Sequence, residues 1–280
     1  MNAYIECCQR YVGQQKTALI WEGKNGESEQ WSFEQLDVAS AQLANYFKSI
    51  GIQVGDCIAG LLPRTPELLI TILATWRIGA IYQPLFTAFE SKAIEHRVLT
   101  ANTKLIVTNA EQRPKLNHVE VKHILTVNAG TNLASNEADF WQEAEQHSDQ
   151  CDAVLRSFDD DFLMMFTSGT TGLAKSVPVP LKAVLAFKGY MQHAVDLRED
   201  DSFWNLADPG WAYGLYYGIT GPLSLGHSII MDERAFSVDH AVEVIKKYRV
   251  SNLTGSPTAF RMFFGFKEKF DPSIKTHLRA

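Results

Sequence analysis

The residues with the most evident chemistry form one short segment, residues 162–180, which reads FLMMFTSGTTGLAKSVPVP. An apolar run ends there in a cluster of hydroxyls and glycines, and a single lysine, Lys175, follows. Glycine permits positive φ angles, so successive backbone N–H groups can converge on one anion. Hydroxyls add donors, and a lysine ammonium supplies a mobile positive charge for phosphate oxygens. The segment therefore predicts a polyphosphate-binding loop.

Each predicted ligand is a glycine, a residue with a hydroxyl group or a lysine. They are Thr167, Ser168, Gly169, Thr170, Thr171, Gly172 and Lys175. A polar turn that binds nothing is the alternative interpretation. The density of donors between an apolar strand and a lysine favours a binding loop over that alternative.

A Walker A loop is one nucleotide-binding loop to compare with this segment. Its pattern is G-x-x-x-x-G-K-[ST], and its lysine opens a helix whose N-terminus faces the phosphate. Residues 169–176 read GTTGLAKS, which departs from that spacing, and Pro178 and Pro180 stand where the helix would propagate. A proline inside a helix costs about 3 kcal/mol. The chain should therefore leave the loop as an extended segment, in a hairpin over the phosphates, which disfavours a P-loop kinase or ATPase.

The segments before the loop alternate between helix and strand patterns. WSFEQLDVASAQLANYFKSIG predicts a helix with a capping box of Ser32 and Gln35 and an end at Gly51. Thr65 and Pro66 predict an N-cap and a first turn for the next helix. The predicted strands are CIAGLL, AIYQPLF, KLIVTNA, HILTVN and FLMMF, and a helix through SKAIEHRVLTAN joins the second to the third. Apolar strands separated by amphipathic helices indicate a largely parallel sheet covered by helices.

After the loop the alternation resumes. A helix starts near Lys182, and SFWNLA, HSIIMD and SNLTG are predicted strands. Ser237 and Ser256 are predicted helix caps. The predicted fold class is α/β, with two stacked α/β layers whose largely parallel sheets are covered by helices. Residues 1–185 form the first predicted subdomain and residues 186–280 the second, incomplete one, on which roughly residues 1–35 also pack. AGTNLASNEADF resembles a linker.

Composition and charge indicate which partners and which cellular compartment to expect. The 280 residues carry a net charge of -6 without a Lys/Arg block, so a nucleic-acid partner is not expected. The four cysteines form no CxxC pair and suit buried, reduced thiols in a cytoplasmic protein. Arg77 and Pro84 interrupt the most apolar stretch, so no membrane span is expected, and the N-terminus does not read as a signal peptide.

TSGTTGLAK resembles the phosphate-loop signature of the AMP-forming adenylating enzymes, [ST]-S-G-[ST]-T-G-x-[PA]-K, with every constrained position filled. This superfamily includes acyl-CoA synthetases, luciferases and the adenylation domains of peptide synthetases. LADPGWAYGLYYGITGPLSLGHSIIM and SNLTGSPTAFRMF resemble its acetyl-CoA synthetase and medium-chain branch. The helix, the GDxIA turn and the PE before a helix in residues 31–86 resemble the family's N-terminal region, so the resemblance implies that domain's fold.

The resemblance implies a two-step reaction. A carboxylate attacks the α-phosphate of ATP to give acyl-adenylate and pyrophosphate, and coenzyme A then displaces AMP. Residues 167–172 would hold the β- and γ-phosphates, Lys175 would be catalytic by neutralising charge as pyrophosphate leaves, and Mg²⁺ would bridge phosphate oxygens. The implied acyl pocket consists of Trp211, Ala212, Tyr213 and Gly214. For Trp211 a core or interface role is the alternative, and Asp208 is interpreted as stabilising the DPGW turn.

Two departures from the family pattern shape the functional prediction. AKSVPVP stands where many relatives read PKGV, and the family's later adenine, ribose and Mg²⁺ motifs and its mobile C-terminal domain are not found in the 280 residues. The chain is therefore expected to be an N-terminal portion of a short- or medium-chain acyl-CoA synthetase, inactive alone, that self-associates or needs its missing half. The alternatives are a non-catalytic, truncated nucleotide-binding relative and an atypical P-loop phosphotransferase.

Overall fold

The strands of the described residues belong to three sheets. The computed structural model describes residues 1–131, 133–167, 172–266 and 277–280. Within these ranges the strands are β1 (Thr17–Glu22), β2 (Ser28–Ser32), β3 (Cys57–Leu61), β4 (Ile81–Pro84), β5 (Thr103–Asn109), β6 (His123–Val127), β7 (Glu137–Asp139), β8 (Asp161–Thr167), β9 (Lys175–Pro180), β10 (Phe203–Asn205), β11 (Ile229–Asp232) and β12 (Asn252–Thr254).

The helices cover the sheets and connect their strands. They are α1 (Ala3–Cys7), α2 (Phe33–Ser49), α3 (Pro66–Arg77), α4 (Ser91–Thr100), α5 (Phe140–Glu145), α6 (Ala183–His193), α7 (Ala212–Leu215), α8 (Gly221–Ser224), α9 (Val238–Lys247) and α10 (Pro257–Gly265). Short 3₁₀ turns span Gln9–Tyr11 and Arg113–Leu116, and a π-helical turn, Tyr216–Thr220, joins α7 to α8.

A seven-stranded sheet, ordered β7-β6-β5-β3-β4-β8-β9, carries the phosphate-loop segment. All of its neighbouring strands run parallel except β9, which pairs antiparallel with β8 at the edge. The central strand β3 is buried at every position, as expected for a strand covered on both faces. This sheet and its flanking helices confirm the predicted α/β class.

Two smaller sheets bring distant parts of the chain together. In one, ordered β11-β1-β2, strand β1 pairs parallel with β11 and antiparallel with β2. In the other, β10 pairs parallel with β12. One continuous apolar core contains α2 and α3 residues such as Phe47 and Trp76 together with Leu223 and Ile229. Residues on both sides of position 185 thus share a core, and the subdomain division at that position stays a prediction.

The local helix signals in the sequence are largely confirmed. The Ser32 hydroxyl accepts the Gln35 backbone N–H at 3.2 Å, and the Gln35 side chain accepts the Ser32 N–H at 2.8 Å, which completes the capping box. Gly51 has φ +85°, the left-handed conformation that ends a helix. Ser237 and Ser256 cap α9 and α10.

One of two further expectations about local structure is confirmed and the other was wrong. Thr65 is the N-cap residue of α3 and Pro66 is its first helical residue, as predicted, although the Thr65 side chain makes no capping hydrogen bond. The segment that resembles a linker contains β7 and leads directly into α5, because the Asp139 carboxylate accepts the N–H groups of Trp141 and Gln142. A three-residue strand at a sheet edge carries too few apolar residues to stand out in a polar sequence.

The four cysteines lie in the protein interior, as predicted. Cys7, Cys8, Cys57 and Cys151 are all buried free thiols. Burial raises the pKa of Cys57 to about 12, so the thiol stays protonated and unreactive at neutral pH. The apolar helix α3 has 12 residues, and none of the helices in the described ranges has the length and apolar character to cross a bilayer.

Candidate functional site

The hairpin of β8 and β9 carries the predicted phosphate loop between its strands. Its register pairs Thr167 with Lys175 and Phe166 with Ser176. Strand β8 runs parallel to β4, so the loop lies at the carboxyl edge of the large sheet. Ligands of open α/β sheets bind outside this edge. The chain continues from Lys175 as strand β9, so the predicted extended exit from the loop is confirmed.

The two prolines after the lysine suit their position in the sheet. Pro178 and Pro180 lie in β9 opposite Met164 and Asp161. Strand β9 is the outermost strand of the sheet order. Proline cannot donate a ladder hydrogen bond and is tolerated mainly on edge strands. The prolines are therefore compatible with a hairpin, whereas they would break the helix of a Walker loop.

The described residues on either side of the loop include a glycine with a positive φ angle and an exposed lysine. Thr167 ends β8 with an exposed side chain, and Gly172 has φ +99°, where a non-glycine residue is strained. Lys175 is exposed, and its side chain makes no ion pair or hydrogen bond with the described part of the chain. The remaining predicted ligands lie outside the described residues: Ser168, Gly169, Thr170 and Thr171. The phosphate contacts themselves stay a prediction.

Helix α4 contacts the loop limbs through two adjacent side chains. His96 Nε2 lies 2.8 Å from the Ala174 carbonyl oxygen. A carbonyl can only accept, so Nε2 carries the proton and donates it. The Arg97 guanidinium lies 5.6 Å from the centre of the Phe166 ring and 4.1 Å from that of Phe89. Burial lowers the pKa of Arg97, although a guanidinium remains charged at neutral pH.

The sequence interpretation did not identify His96 or Arg97. The available signal was a His-Arg pair inside the predicted helix SKAIEHRVLTAN, which follows a strand. Helical periodicity indicates which residues share a face of a helix. It does not indicate that this face meets a hairpin about 70 to 80 residues further along the chain, because that depends on the order of the strands.

An aromatic cluster links Trp211 to the base of the loop. The rings of Phe86, Phe89 and Trp211 lie 5.6 to 5.7 Å apart, centre to centre. Phe89 also lies under Arg97, which reaches Phe166 beside Thr167. Trp211 is 46% exposed, so one part of its ring packs while another faces solvent. The structure therefore brings one predicted pocket residue to the same side of the sheet as the loop.

The DPGW turn sets the position of Trp211. The Asp208 carboxylate accepts the Gly210 N–H at 2.7 Å, and its carbonyl accepts the Trp211 N–H at 3.0 Å. Burial raises the pKa of Asp208, opposed by the Gly210 hydrogen bond and the charge of Arg64. These contacts confirm that Asp208 stabilises the turn. A Cβ at Gly214 would lie 2.2 Å from the Asp208 carbonyl oxygen, so only glycine fits there.

The four predicted pocket residues have different surroundings. Trp211 lies against Phe86 and Phe89, and Gly214 packs on the turn. Ala212 packs against the main apolar core. The Tyr213 ring lies 5.3 Å from Tyr217, and burial raises the pKa of the Tyr213 phenol. Their common role as an acyl pocket stays a prediction.

The implied Mg²⁺ has no cluster of side-chain ligands in the described residues. No three His, Cys, Asp or Glu side chains in residues 1–131, 133–167, 172–266 and 277–280 lie close enough together to hold a metal ion. Phosphate oxygens of a bound nucleotide are hard ligands of the kind that this ion prefers.

Similarity to known proteins extends over nearly the whole chain. The family described as "AMP-binding enzyme" matches residues 8–279. Acetyl-coenzyme A synthetase of Deinococcus radiodurans is 32% identical over 94% of this chain and 44% of its own length, and that of Bacillus subtilis is 30% identical over 95% and 47%. The crystal structure of Brucella canis acyl-CoA synthetase superimposes with a TM-score of 0.91 and 49% identity, covering 95% of this chain and 49% of that chain. The chain thus spans about half the length of the relatives it matches.

Proposed function

Because the chain belongs to the AMP-binding enzyme family, we propose that it is the N-terminal part of an AMP-forming acyl-CoA synthetase. The proposed substrates are ATP, coenzyme A and a short- or medium-chain carboxylate. Relatives named acetyl-coenzyme A synthetase and acyl-CoA synthetase support this choice of reaction. The phosphate-loop signature, from which the family was predicted, lies inside the matched residues.

The observation that supports the proposal most directly is the geometry of the β8–β9 hairpin. It places an exposed Lys175 ammonium opposite Thr167, at the carboxyl edge of the sheet. In the proposed first step a carboxylate oxygen bonds to the α-phosphorus while the bond to the pyrophosphate oxygen breaks. Negative charge then accumulates on pyrophosphate, and an oriented cation lowers the energy of that charge. In the second step the coenzyme A thiolate attacks the acyl carbon and AMP leaves.

Two alternatives are compared with this proposal. A P-loop phosphotransferase would need a helix that begins at the loop lysine. Strand β9 occupies those residues, so this alternative is disfavoured. A nucleotide-binding relative without turnover would have the same hairpin, and only an activity measurement separates it from a synthetase. A cytoplasmic location is part of the proposal and rests on the four free thiols.

Carboxylate-dependent ATP–pyrophosphate exchange tests the proposal. We expect the 280-residue chain alone to give no exchange and no acyl-CoA, because it spans about half the length of its relatives. Loss of one oriented charge-stabilising donor typically costs a factor of about 10² to 10³ in rate, and the implied later motifs comprise several such groups. A longer protein that contains these residues should catalyse exchange with acids between acetate and octanoate.

The possible results distinguish the proposed synthetase from a non-catalytic relative. Robust exchange by the 280 residues would show that the active site is complete within them. Nucleotide binding without exchange, in both the short chain and a longer protein, would favour the non-catalytic relative. Benzoate belongs in the acid panel, since its use instead of linear acids would contradict the proposed substrate class.

A further inference from the structure

Helix α4 contacts the β8–β9 hairpin next to the pair of residues that lies closest to the loop. That pair is Thr167 and Lys175. His96 donates to the carbonyl of Ala174, on the loop side of Lys175, and Arg97 lies over the ring of Phe166, on the sheet side of Thr167. Two consecutive side chains of one helix therefore contact the chain both before and after the loop.

The helix that provides these contacts is itself fixed to the sheet. Gln83 is fully buried in β4, and its amide donates to the Arg97 carbonyl at 3.1 Å. The Thr103 hydroxyl of β5 donates to the Gln83 side-chain oxygen at 2.6 Å. Ile94 and Val98 are buried in an apolar cluster under α4. The helix can therefore hold the hairpin relative to the sheet.

We propose that His96 is a positioning residue for polyphosphate binding, an inference that rests on the proposed function. The Ala174 carbonyl and the Lys175 nitrogen belong to one planar peptide unit. A hydrogen bond to that carbonyl fixes the orientation of the unit, and with it the direction in which the Lys175 side chain leaves the hairpin. The cation is then oriented before the phosphate arrives, so less conformational freedom is lost on binding.

The alternative is that the contact only stabilises the fold. In either case the contact is one neutral hydrogen bond, which makes a modest contribution. The two roles differ in what they change. Positioning affects phosphate affinity and the local order of the residues around Lys175, and a side chain that restores the donor should restore both. A purely structural contact would change thermal stability without changing affinity.

The test compares His96→Ala and His96→Gln with the wild-type 280-residue chain. Calorimetry with inorganic pyrophosphate measures affinity, and amide hydrogen exchange without ligand measures local order over residues 172–177. We expect His96→Ala to weaken binding about 3- to 10-fold and to speed exchange in that segment. Glutamine can donate from its amide, so His96→Gln should lie within about twofold of wild type. His193→Ala, at an exposed histidine of α6, is the matched control and should match wild type.

Three results would overturn the positioning role of His96. Unchanged affinity and exchange in His96→Ala would overturn the positioning role, as would equal losses in His96→Gln and His96→Ala. If affinity falls by the same factor in His193→Ala, the effect is not specific to the hairpin and the proposal also fails. Lys175→Ala separates this failure from that of the proposed function. If wild type binds no pyrophosphate, or binds it no better than Lys175→Ala does, the phosphate assignment is overturned and the inference with it.

Discussion

At the scale of single residues, Lys175 is the side chain on which the proposed chemistry depends most. Its ammonium is exposed and has no ion pair within the described residues. Lys175→Ala should weaken pyrophosphate or ATP binding by about 2 to 3 kcal/mol, the scale of a hydrogen bond to a charged group with its Coulomb attraction. The free energy of unfolding should change by less than about 0.5 kcal/mol. Calorimetry and thermal unfolding measure the two effects. Lys122→Ala removes an exposed lysine at the opposite edge of the sheet and should bind normally. Equal affinity in all three proteins would remove the phosphate assignment.

At the scale of elements, the contact between α7 and the DPGW turn depends on a glycine. A Cβ at Gly214 would meet the Asp208 carbonyl, a backbone atom that cannot rotate away. Gly214→Ala should therefore destabilise the fold by about 1 to 3 kcal/mol, the usual cost of overpacking. Gly189 in α6 is the matched control, since its Cβ would meet nothing within 4 Å. Gly189→Ala should stabilise the fold by about 0.5 to 1 kcal/mol because alanine favours helices. Urea unfolding measures both changes, and a shift of the same sign in the two variants would contradict this account.

At the scale of the whole molecule, helix α10 exposes a group of large apolar side chains. Phe264 is 79% exposed, and Phe260, Met262 and Phe266 are 37 to 42% exposed. Phe260 and Phe264 are four positions apart and therefore share one face of the helix, and contiguous exposed apolar surface usually marks an interface. We expect the 280-residue chain to self-associate through this surface, and Phe264→Ser to weaken the association. Leu155→Ser changes a similarly exposed residue before β8 and serves as the control. Sedimentation velocity over a range of concentrations gives the oligomeric state. A monomer at every concentration, before and after the substitution, would be the contrary result.

The sequence alone determined the features that depend on near neighbours. The capping box at Ser32, the end of α2 at Gly51 and the apolar run of β3 each depend on residues within a few positions of one another, so their signals are local. The extended exit from the phosphate loop was also predictable, because a proline beyond the first turn of a helix disfavours that helix whatever packs against it. The family followed from the loop signature, whose residues are consecutive in the chain.

The tertiary structure decided what depends on distant surfaces. The pairing of β1 with β11 joins residues more than 200 positions apart, and it follows from which apolar faces bury each other best. The order that places β3 between β4 and β5 brings α4 beside the hairpin, so only the fold shows that His96 reaches Ala174. The fold also brings Trp211 against Phe89, which lies far from it in the sequence. Such contacts depend on the packing of whole elements, and the free energy of that packing is not carried by any short segment of the sequence.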